Sequence, residues 1–305
     1  MTFLPLDIFN SDIGVKGFFV ISGLLIWLSA EHTNSWRIFF VKRFFRIYPS
    51  LIFLLLLTSF VAIFYFKQPL TMVFEYFFWN SIFLNFMNHC IGDVFNNNAM
   101  CAINGSLWTL KLEVAYYFFV GVVFFTLRNY AFKILVMVTI LSFSLESVLF
   151  FLPNNYIHFA ELFQNQIPFK FYYFGLGVIF NRFHEKLSNK ILSIILLIGF
   201  IGWYLFDIKF IFLPLFVLSL VYLVAFRLPI FSFSKYGDMS YGMYIFHFPI
   251  IQFFISENWF TGLFYLDFFL ILVFVLLASK LSWELIEKNS IKWARSISEK
   301  LTPLN

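Results

Sequence analysis

The sequence predicts an all-α polytopic membrane protein, with about nine transmembrane helices and one re-entrant or interfacial helix. Of the 305 residues, 61% are hydrophobic and only 12% are charged, and the mean hydropathy is +0.86. Such a chain cannot cover itself with a water-compatible surface. Backbone groups in hydrocarbon must be hydrogen-bonded within helices or a closed barrel. The apolar runs are about 16 to 22 residues long and do not alternate with polar residues, so we expect helices.

The apolar runs set the expected order of the spans. In chain order they lie near 14–30, 49–66, 108–127, 131–152, 167–182, 188–206, 208–226, 239–256 and 262–283. A further apolar segment, near 71–87, carries Glu75 and several asparagines, so we expect a re-entrant or interfacial helix there. No hydrophilic stretch is long enough for a soluble domain. We therefore expect one membrane domain over residues 1–287 and a basic amphipathic tail over 288–305.

Lysine and arginine residues fall in alternate connections, which orients the bundle because cytoplasmic loops retain positive charge. The basic clusters are Arg37, Lys42, Arg43 and Arg46; Arg128 and Lys133; Arg182, Lys186 and Lys190; Arg227 and Lys235; and Lys288, Lys292, Arg295 and Lys300. Connections 153–166 and 257–261 contain no Lys or Arg, and 67–107 contains only Lys67, so we expect these to face outward. The C-terminus then lies in the cytoplasm. The net charge of +5 is a topology signal, and nucleic-acid binding is not expected.

The first residues do not fit this orientation. Residues 1–13 carry Asp7 and Asp12 and no Lys or Arg, so the charge rule places them outside, yet no signal peptide or earlier helix delivers them there. We therefore expect a helix ahead of residue 14 to be missing, through truncation or a misplaced start. A nine-span protein with an outside N-terminus is the alternative.

Both cysteines lie in the long outward loop. In an oxidising compartment Cys90 and Cys101 could form a disulfide that restrains this loop. Two free thiols near the interface are the alternative. No metal site is expected, because His89 beside Cys90 gives no recognisable ligand spacing.

A cluster of polar side chains interrupts the apolar run that begins at Ser240. Ser240, Tyr241, Tyr244 and His247 fall within ten residues. Ionisable groups are costly to hold in hydrocarbon, so this cluster is expected to face a protein interior or a wet cavity. We expect a ligand to bind or react there.

Arg43 and Arg46 precede Tyr48 and Pro49 at the inner end of a span. If the segment is helical, the two arginines project from one side, and Pro49 suits the first turn of the following helix. Guanidinium groups and a helix N-terminus can both hold phosphate. The alternative is ordinary topology-setting charge with lipid headgroup contact.

Two further positions carry polar groups inside spans. Glu113 lies about one turn inside the span that begins near Trp108, where a carboxylate needs a partner or water. It could bind a sugar hydroxyl, act as a base, or pair with another helix. Ser22 would lie near mid-membrane, between Gly17 and Gly23, two glycines that permit close helix approach.

Five motifs in order resemble the acyltransferase-3 family, which includes the O-acetylases of bacterial surface polysaccharides. They are Gly-Val-x-x-Phe-Phe-Val-Ile-Ser-Gly at 14–23, Arg-x-x-Arg-Ile-Tyr-Pro at 43–49, Ser-Leu-Trp-Thr-Leu-x-x-Glu at 106–113, Ser-Tyr-x-x-Tyr-x-x-His-x-Pro at 240–249, and a closing segment from Glu284 to Glu287. The resemblance covers the chain from Gly14 to about Lys288. It implies a ten-helix domain in the bacterial inner membrane.

The resemblance also implies a reaction and its partners. An acyl group, usually acetyl, would pass from cytoplasmic acyl-CoA (acetyl-CoA) to a carbohydrate hydroxyl across the membrane, as on O-antigen, exopolysaccharide or a lipid-linked precursor. Membrane lipids are the remaining expected partners, and no cofactor is bound permanently.

Roles follow for individual residues. Arg43 and Arg46 would bind the phosphates of acyl-CoA, and His247 would polarise or orient a reacting group. The expected lining of the buried path is Ser22, Ser240 and Tyr241, and the expected acceptor side is Trp108 and Glu113. In this family, the histidine regarded as catalytic follows an arginine and lies in a helix ahead of the 14–23 motif. The given sequence starts after that helix, so no residue matches that histidine. His247 matches a different family histidine and is the leading candidate base if the chain as given is active.

Two other interpretations stay open. A lipid-linked glycan flippase or polymerase would typically show more spans or a large arginine-bearing outer loop, and the outer loops here are poor in arginine. An inactive truncated remnant of an acyltransferase would fold but lack its base.

Overall fold

The computed structural model describes residues 11–33, 35–152, 166–183, 186–206, 208–227 and 237–301, together with Tyr156 and Phe163. All regular secondary structure in these residues is helical. The helices are α1 (Ser11–Glu31), α2 (Trp36–Phe64), α3 (Leu70–Ser81), α4 (Leu107–Thr126), α5 (Ala131–Phe150), α6 (Ile167–Asn181), α7 (Asn189–Leu205), α8 (Lys209–Phe226), α9 (Ser240–Ser256), α10 (Phe264–Ser282) and, after a π-helical turn (Trp283–Glu287), α11 (Lys288–Leu301). The predicted helical class is confirmed.

A helix lies at every predicted span position, but the helices differ in length. Six are long and apolar enough to cross a membrane: α1, α2, α4, α5, α8, and α10 with its continuation. The others, α6, α7 and α9, have 15, 17 and 17 residues, whereas a full span needs about 20. The predicted count of about nine spans is therefore not confirmed. The expected outward segment 1–13 lies mostly outside the described residues.

Two predicted element boundaries need correction. Helix α2 begins at Trp36 rather than near residue 49, so Arg43 and Arg46 lie on a helix and Pro49 lies inside it. Residues 36–48 contain no glycine or proline, so nothing in this stretch stops the helix before Pro49. The proline ring removes one backbone hydrogen bond and crowds the carbonyl four residues earlier, but the helix continues through it. Helix α3 ends at Ser81 and has 12 residues, about 18 Å at 1.5 Å per residue, too short to cross a membrane.

The described residues fall into two compact units. Unit 1 lies within residues 1–36 and 112–231, and unit 2 within 37–111 and 232–305. In unit 1, α1 packs against α6 and α8, α5 packs against α6, and α7 packs against α8. In unit 2, α9 packs against α10, which runs into the π-helical turn and α11.

Helices α1 and α6 of unit 1 approach each other closely at two glycines. A Cβ atom at Gly23 would collide with the backbone carbonyl of Phe174, and one at Gly177 would collide with that of Val20. The expectation that Gly23 permits close helix approach is confirmed. The other predicted glycine, Gly17, meets only valine side chains of α8 at ordinary contact distances.

The long loop between α3 and α4, in unit 2, is fixed to helix α9. Cys90 and Cys101 form a disulfide, with their Cα atoms 5.3 Å apart. Gln252 of α9 donates hydrogen bonds to the carbonyls of Met100 (2.7 Å) and Ala102 (2.8 Å) on the loop. Because the two sulfurs are bonded to each other, neither is available as a thiolate for a metal ion.

Replacing Cys90 and Cys101 with serine should lower the free energy of unfolding by about 3 kcal/mol, since the disulfide closes a loop of roughly a dozen residues in the unfolded chain. Thermal unfolding of the purified protein in detergent measures the difference. In cells, a membrane-impermeant maleimide should label the native cysteines only after reduction. Full labelling without reductant would rule out the disulfide.

Candidate functional site

His247 is half-buried on α9 in unit 2, and its ring has a defined orientation. Its Nδ1 atom lies 2.7 Å from the carbonyl oxygen of Tyr244 and 3.3 Å from that of Met243. A carbonyl can only accept a hydrogen bond, so Nδ1 carries the proton and Nε2 of the neutral ring holds the lone pair. The imidazole is therefore arranged to accept a proton at Nε2.

The phenol of Tyr244 ties helix α9 to the turn that begins α4. Its hydroxyl donates to the carbonyl of Ser106 at 2.5 Å and contacts the hydroxyl of Thr109. The side-chain amide of Asn104 donates to the carbonyl of Ile245 at 2.8 Å. Two segments of unit 2 that are separate in the sequence, 104–109 and 244–245, thus meet on the helix that carries His247.

A cavity of about 290 Å³ lies beside this part of α9. Its walls are apolar, and they include Phe246, Pro249 and Phe253 of α9, Leu54 and Val61 of α2, and Phe274 of α10. Its size is near the lower end of the range for ligand pockets, roughly 300–1,000 Å³. Such a cavity suits an aliphatic chain better than a sugar.

Arg46 is held by two carboxylates of unit 2. Its Nη2 atom donates to Asp238 at 2.6 Å, and its Nη1 atom lies 3.9 Å from Glu287, whose side chain is 1% exposed. Glu287 also accepts a hydrogen bond from Ser282 at 3.0 Å. Arg46, which the sequence predicted would bind phosphate, therefore already has anionic partners. Arg43, the other predicted phosphate-binding residue, lies half-buried one turn earlier on α2. The sequence assigned no role to Asp238 or Glu287.

Two predicted path residues lie near this cluster. Ser240, expected to line a buried path, is exposed and donates to Asp238 at 2.6 Å, because it stands at the first residue of α9. Tyr241 is buried, and its hydroxyl donates to the carbonyl of Ile47 on α2 at 3.1 Å. Tyr241 therefore anchors α9 to α2.

The pKa of Asp238 reflects opposing effects. Burial acts to raise it, but the Arg46 guanidinium and hydrogen bonds from Ser240 outweigh burial and hold the pKa below its ordinary value. The interaction with Arg46 consequently stabilises the fold at neutral pH. This stabilisation is lost as the pH falls through the lowered pKa of the folded state.

Glu113 is buried in unit 1 and has hydrogen-bond donors there. Its Oε1 atom accepts from the hydroxyl of Tyr117, one turn further along α4, and from the hydroxyl of Ser22 on α1 at 3.4 Å. The structure thus joins Ser22 and Glu113, which the sequence had placed at different points of the path. Trp108, the other expected acceptor-side residue, is half-buried at the start of α4.

Sequence reasoning missed a second cavity, of about 420 Å³, in unit 1. Its polar lining consists of Asp12, Lys16, Glu146, Lys170, Tyr172, Tyr173 and Lys209. The available signal was the presence of ionisable residues inside or at the ends of apolar runs, which is costly in hydrocarbon and typical of functional positions.

A helical chain of this hydropathy that holds an imidazole, carboxylates and lysines inside apolar helices is a polytopic membrane protein of the kind that carries out chemistry or transport. Residues 1–282 match the acyltransferase domain family. The chain therefore belongs to the acyltransferase-3 family and is an acyltransferase, as the motifs predicted.

Two relatives match over most of their length. The chain is 28% identical to an O-acetyl transferase of Shigella phage Sf6 in an alignment of 302 positions, gaps included, that covers 90% of the chain and 84% of the relative. It is 24% identical to nodulation protein 10 of Rhizobium leguminosarum bv. viciae in an alignment of 317 positions, gaps included, that covers 95% of the chain and 85% of the relative. No solved structure matches the chain significantly.

Proposed function

We propose that the protein is an O-acetylase of the bacterial inner membrane, with its C-terminus in the cytoplasm. It transfers an acetyl group from cytoplasmic acetyl-CoA to a hydroxyl of a cell-surface polysaccharide, such as O-antigen or exopolysaccharide, or of its lipid-linked precursor. The family and the O-acetyl transferase relative support acetyl transfer. The observation that carries the mechanism is the orientation of His247, whose Nδ1 proton is held by a backbone carbonyl.

The reaction forms one ester bond and breaks one thioester bond. The acceptor oxygen attacks the thioester carbonyl carbon while Nε2 of His247 takes the hydroxyl proton. The carbon–sulfur bond then breaks, and the proton passes to the departing CoA thiolate. The carbonyl of Tyr244 keeps the ring in the required tautomer and stabilises the imidazolium while it is charged.

The arginines of α2 are the proposed donor site. A guanidinium has five N–H donors, so Arg46 can engage a phosphate while it keeps contact with Asp238 and Glu287. His247 lies seven residues beyond Ser240 on α9, about 10 Å along the helix axis at 1.5 Å per residue. CoA separates its phosphates from its thioester by the long pantetheine arm, which agrees with phosphates at the α2 arginines and the thioester deeper in unit 2.

The function is tested in a polysaccharide-producing strain whose own O-acetylase gene is deleted. Expression of the chain should add acetyl esters to the surface polysaccharide, measured by mass spectrometry before and after mild alkaline treatment. Polysaccharide that gains no acetyl ester, although the protein is present in the membrane, would count against the proposal.

Removing the two arginines should weaken acetyl-CoA binding. Arg43→Ala combined with Arg46→Ala removes charge-assisted hydrogen bonds worth roughly 1.5–3 kcal/mol for each arginine, or about 10- to 100-fold in Kd for each of them. Because Arg46→Ala removes the cation that lies beside buried Glu287, a second variant adds Glu287→Gln. Isothermal titration with acetyl-CoA measures the affinity, and Lys42→Ala, an exposed cation on the same helix, is the matched control. Unchanged affinity in the arginine variants would remove them from the donor site.

A further inference from the structure

The polar cavity of unit 1 lies where the ends of four helices meet. Asp12 and Lys16 come from the start of α1, Glu146 from the last turns of α5, Lys170 from the first turn of α6, and Lys209 from the start of α8. The connection between α5 and α6 includes 153–166, which contains no Lys or Arg. This end of unit 1 is therefore the one that the charge rule places outside the membrane.

The charges lining the cavity are partly paired and leave a positive excess. Lys16 contacts Asp12, and the Nζ atom of Lys170 lies 3.8 Å from Oε1 of Glu146. The side chains of Lys16 and Lys170 are only 10% and 7% exposed. Among the lining residues that the structure describes, three lysines, with Lys209 the third, face two carboxylates, so one positive charge is in excess. Each ammonium also has three N–H donors, more than one carboxylate contact uses.

Glu146 provides a second and independent sign of a ligand. Its Oε2 atom is buried, and no residue that the structure describes donates a hydrogen bond to it. A buried carboxylate oxygen without a donor is costly, so a donor is expected there. A sugar hydroxyl would satisfy it. In the lining of the cavity, the rings of Phe150 and Phe210 lie 4.9 Å apart and offer an apolar surface to a sugar ring.

We propose that this cavity binds the acceptor, and that the acceptor is an anionic sugar, carrying a carboxylate or a phosphate as well as hydroxyls. The excess lysine charge binds the anionic group, and Oε2 of Glu146 accepts from a neighbouring hydroxyl. The description of this sugar as the acceptor rests on the proposed function; the binding site itself does not. Its volume of about 420 Å³ lies within the range of ligand pockets.

Binding is tested with the purified full chain in lipid nanodiscs. The probes are a galacturonic acid trisaccharide, a mannose oligosaccharide carrying a phosphate, and a neutral galactose trisaccharide. At least one anionic sugar should bind roughly tenfold or more tightly than the neutral one, with an affinity that falls as salt rises. The carboxylate and phosphate probes separate the two sources of negative charge.

The variants locate the binding site. Lys209→Gln changes an exposed residue, and Lys170→Gln with Glu146→Gln removes a buried pair without leaving a lone charge. Both should lower anionic-sugar affinity roughly tenfold or more, whereas Lys133→Gln, an exposed lysine near the other end of α5, should leave it unchanged. Size-exclusion chromatography checks that each variant is folded.

Three results would overturn this inference: equal binding of anionic and neutral sugars, no binding of any of them, or unchanged affinity in the folded cavity variants. Transfer of radiolabelled acetyl is measured in parallel. If the anionic sugar binds at the cavity but no preparation of the purified protein transfers acetyl to any sugar, the proposed function is wrong and the binding site stands.

Discussion

Replacing His247 with glutamine is expected to lower acetyl transfer by roughly 10²- to 10⁴-fold, the usual contribution of a general base. Glutamine keeps a polar side chain at this position on α9 but cannot take a proton from the acceptor hydroxyl. Acetyl-CoA affinity should stay within about twofold, because the proposed donor contacts lie on α2. Polysaccharide acetyl content and titration with acetyl-CoA measure the two effects separately.

His32 supplies the matched control for this substitution. Like that of His247, its Nδ1 atom lies 2.7 Å from a backbone carbonyl, here that of Leu28, four residues earlier. His32, however, is exposed at the end of α1. His32→Gln should therefore retain full activity. Normal acetylation by the His247→Gln protein would exclude His247 as the base and leave the chemistry to another group.

Gly23→Ala should destabilise unit 1, although alanine normally favours a helix over glycine. The added Cβ atom meets the backbone carbonyl of Phe174, which cannot move unless α6 moves away from α1. Overpacking of this kind costs about 1–3 kcal/mol. Gly177→Ala, which meets the carbonyl of Val20, should behave similarly. The thermal unfolding midpoint in detergent is expected to fall for both.

Gly14→Ala tests the steric explanation. Gly14 lies on the same helix as Gly23, but a Cβ atom there meets no atom of the described residues within 4 Å beyond the adjoining backbone of its own helix. The substitution should leave the midpoint unchanged or raise it, since alanine is favoured over glycine in a helix by about 0.5–1 kcal/mol. Equal midpoints for Gly23→Ala and Gly14→Ala would contradict the close approach of α1 and α6.

Features that depend on neighbouring residues in the chain were predictable from the sequence. Apolar runs gave the helix positions, because hydrophobicity over about 20 residues is a local property. Gly23 predicted close helix packing because the small size of a glycine is likewise a property of the local sequence. The continuation of α2 through Pro49 was missed because a proline can either begin a helix or lie within one, and the sequence around it permits both.

Features that depend on residues far apart in the chain were not predictable. Arg46 and Asp238 are separated by 192 positions, and Lys170 and Glu146 come from different helices, so no spacing rule links them. The motif that contains Ser240 suggested a buried position, but the first residue of a helix can point to solvent. Ionisable residues within apolar runs were the one general signal for the unit 1 cavity, and it identifies positions without identifying partners.

Because of the π-helical turn Trp283–Glu287, the ion pair between Arg46 and Glu287 depends on the number of residues in that turn. A turn of this kind holds one residue more than an α-helical turn, so the helix after it is rotated by about 100° relative to an uninterrupted helix. With this rotation of the helix, Glu287 is buried next to Arg46, and Leu285 is exposed. Deletion of one residue in this turn would therefore turn Glu287 away from Arg46 and reorient α11, even if every charged residue were kept.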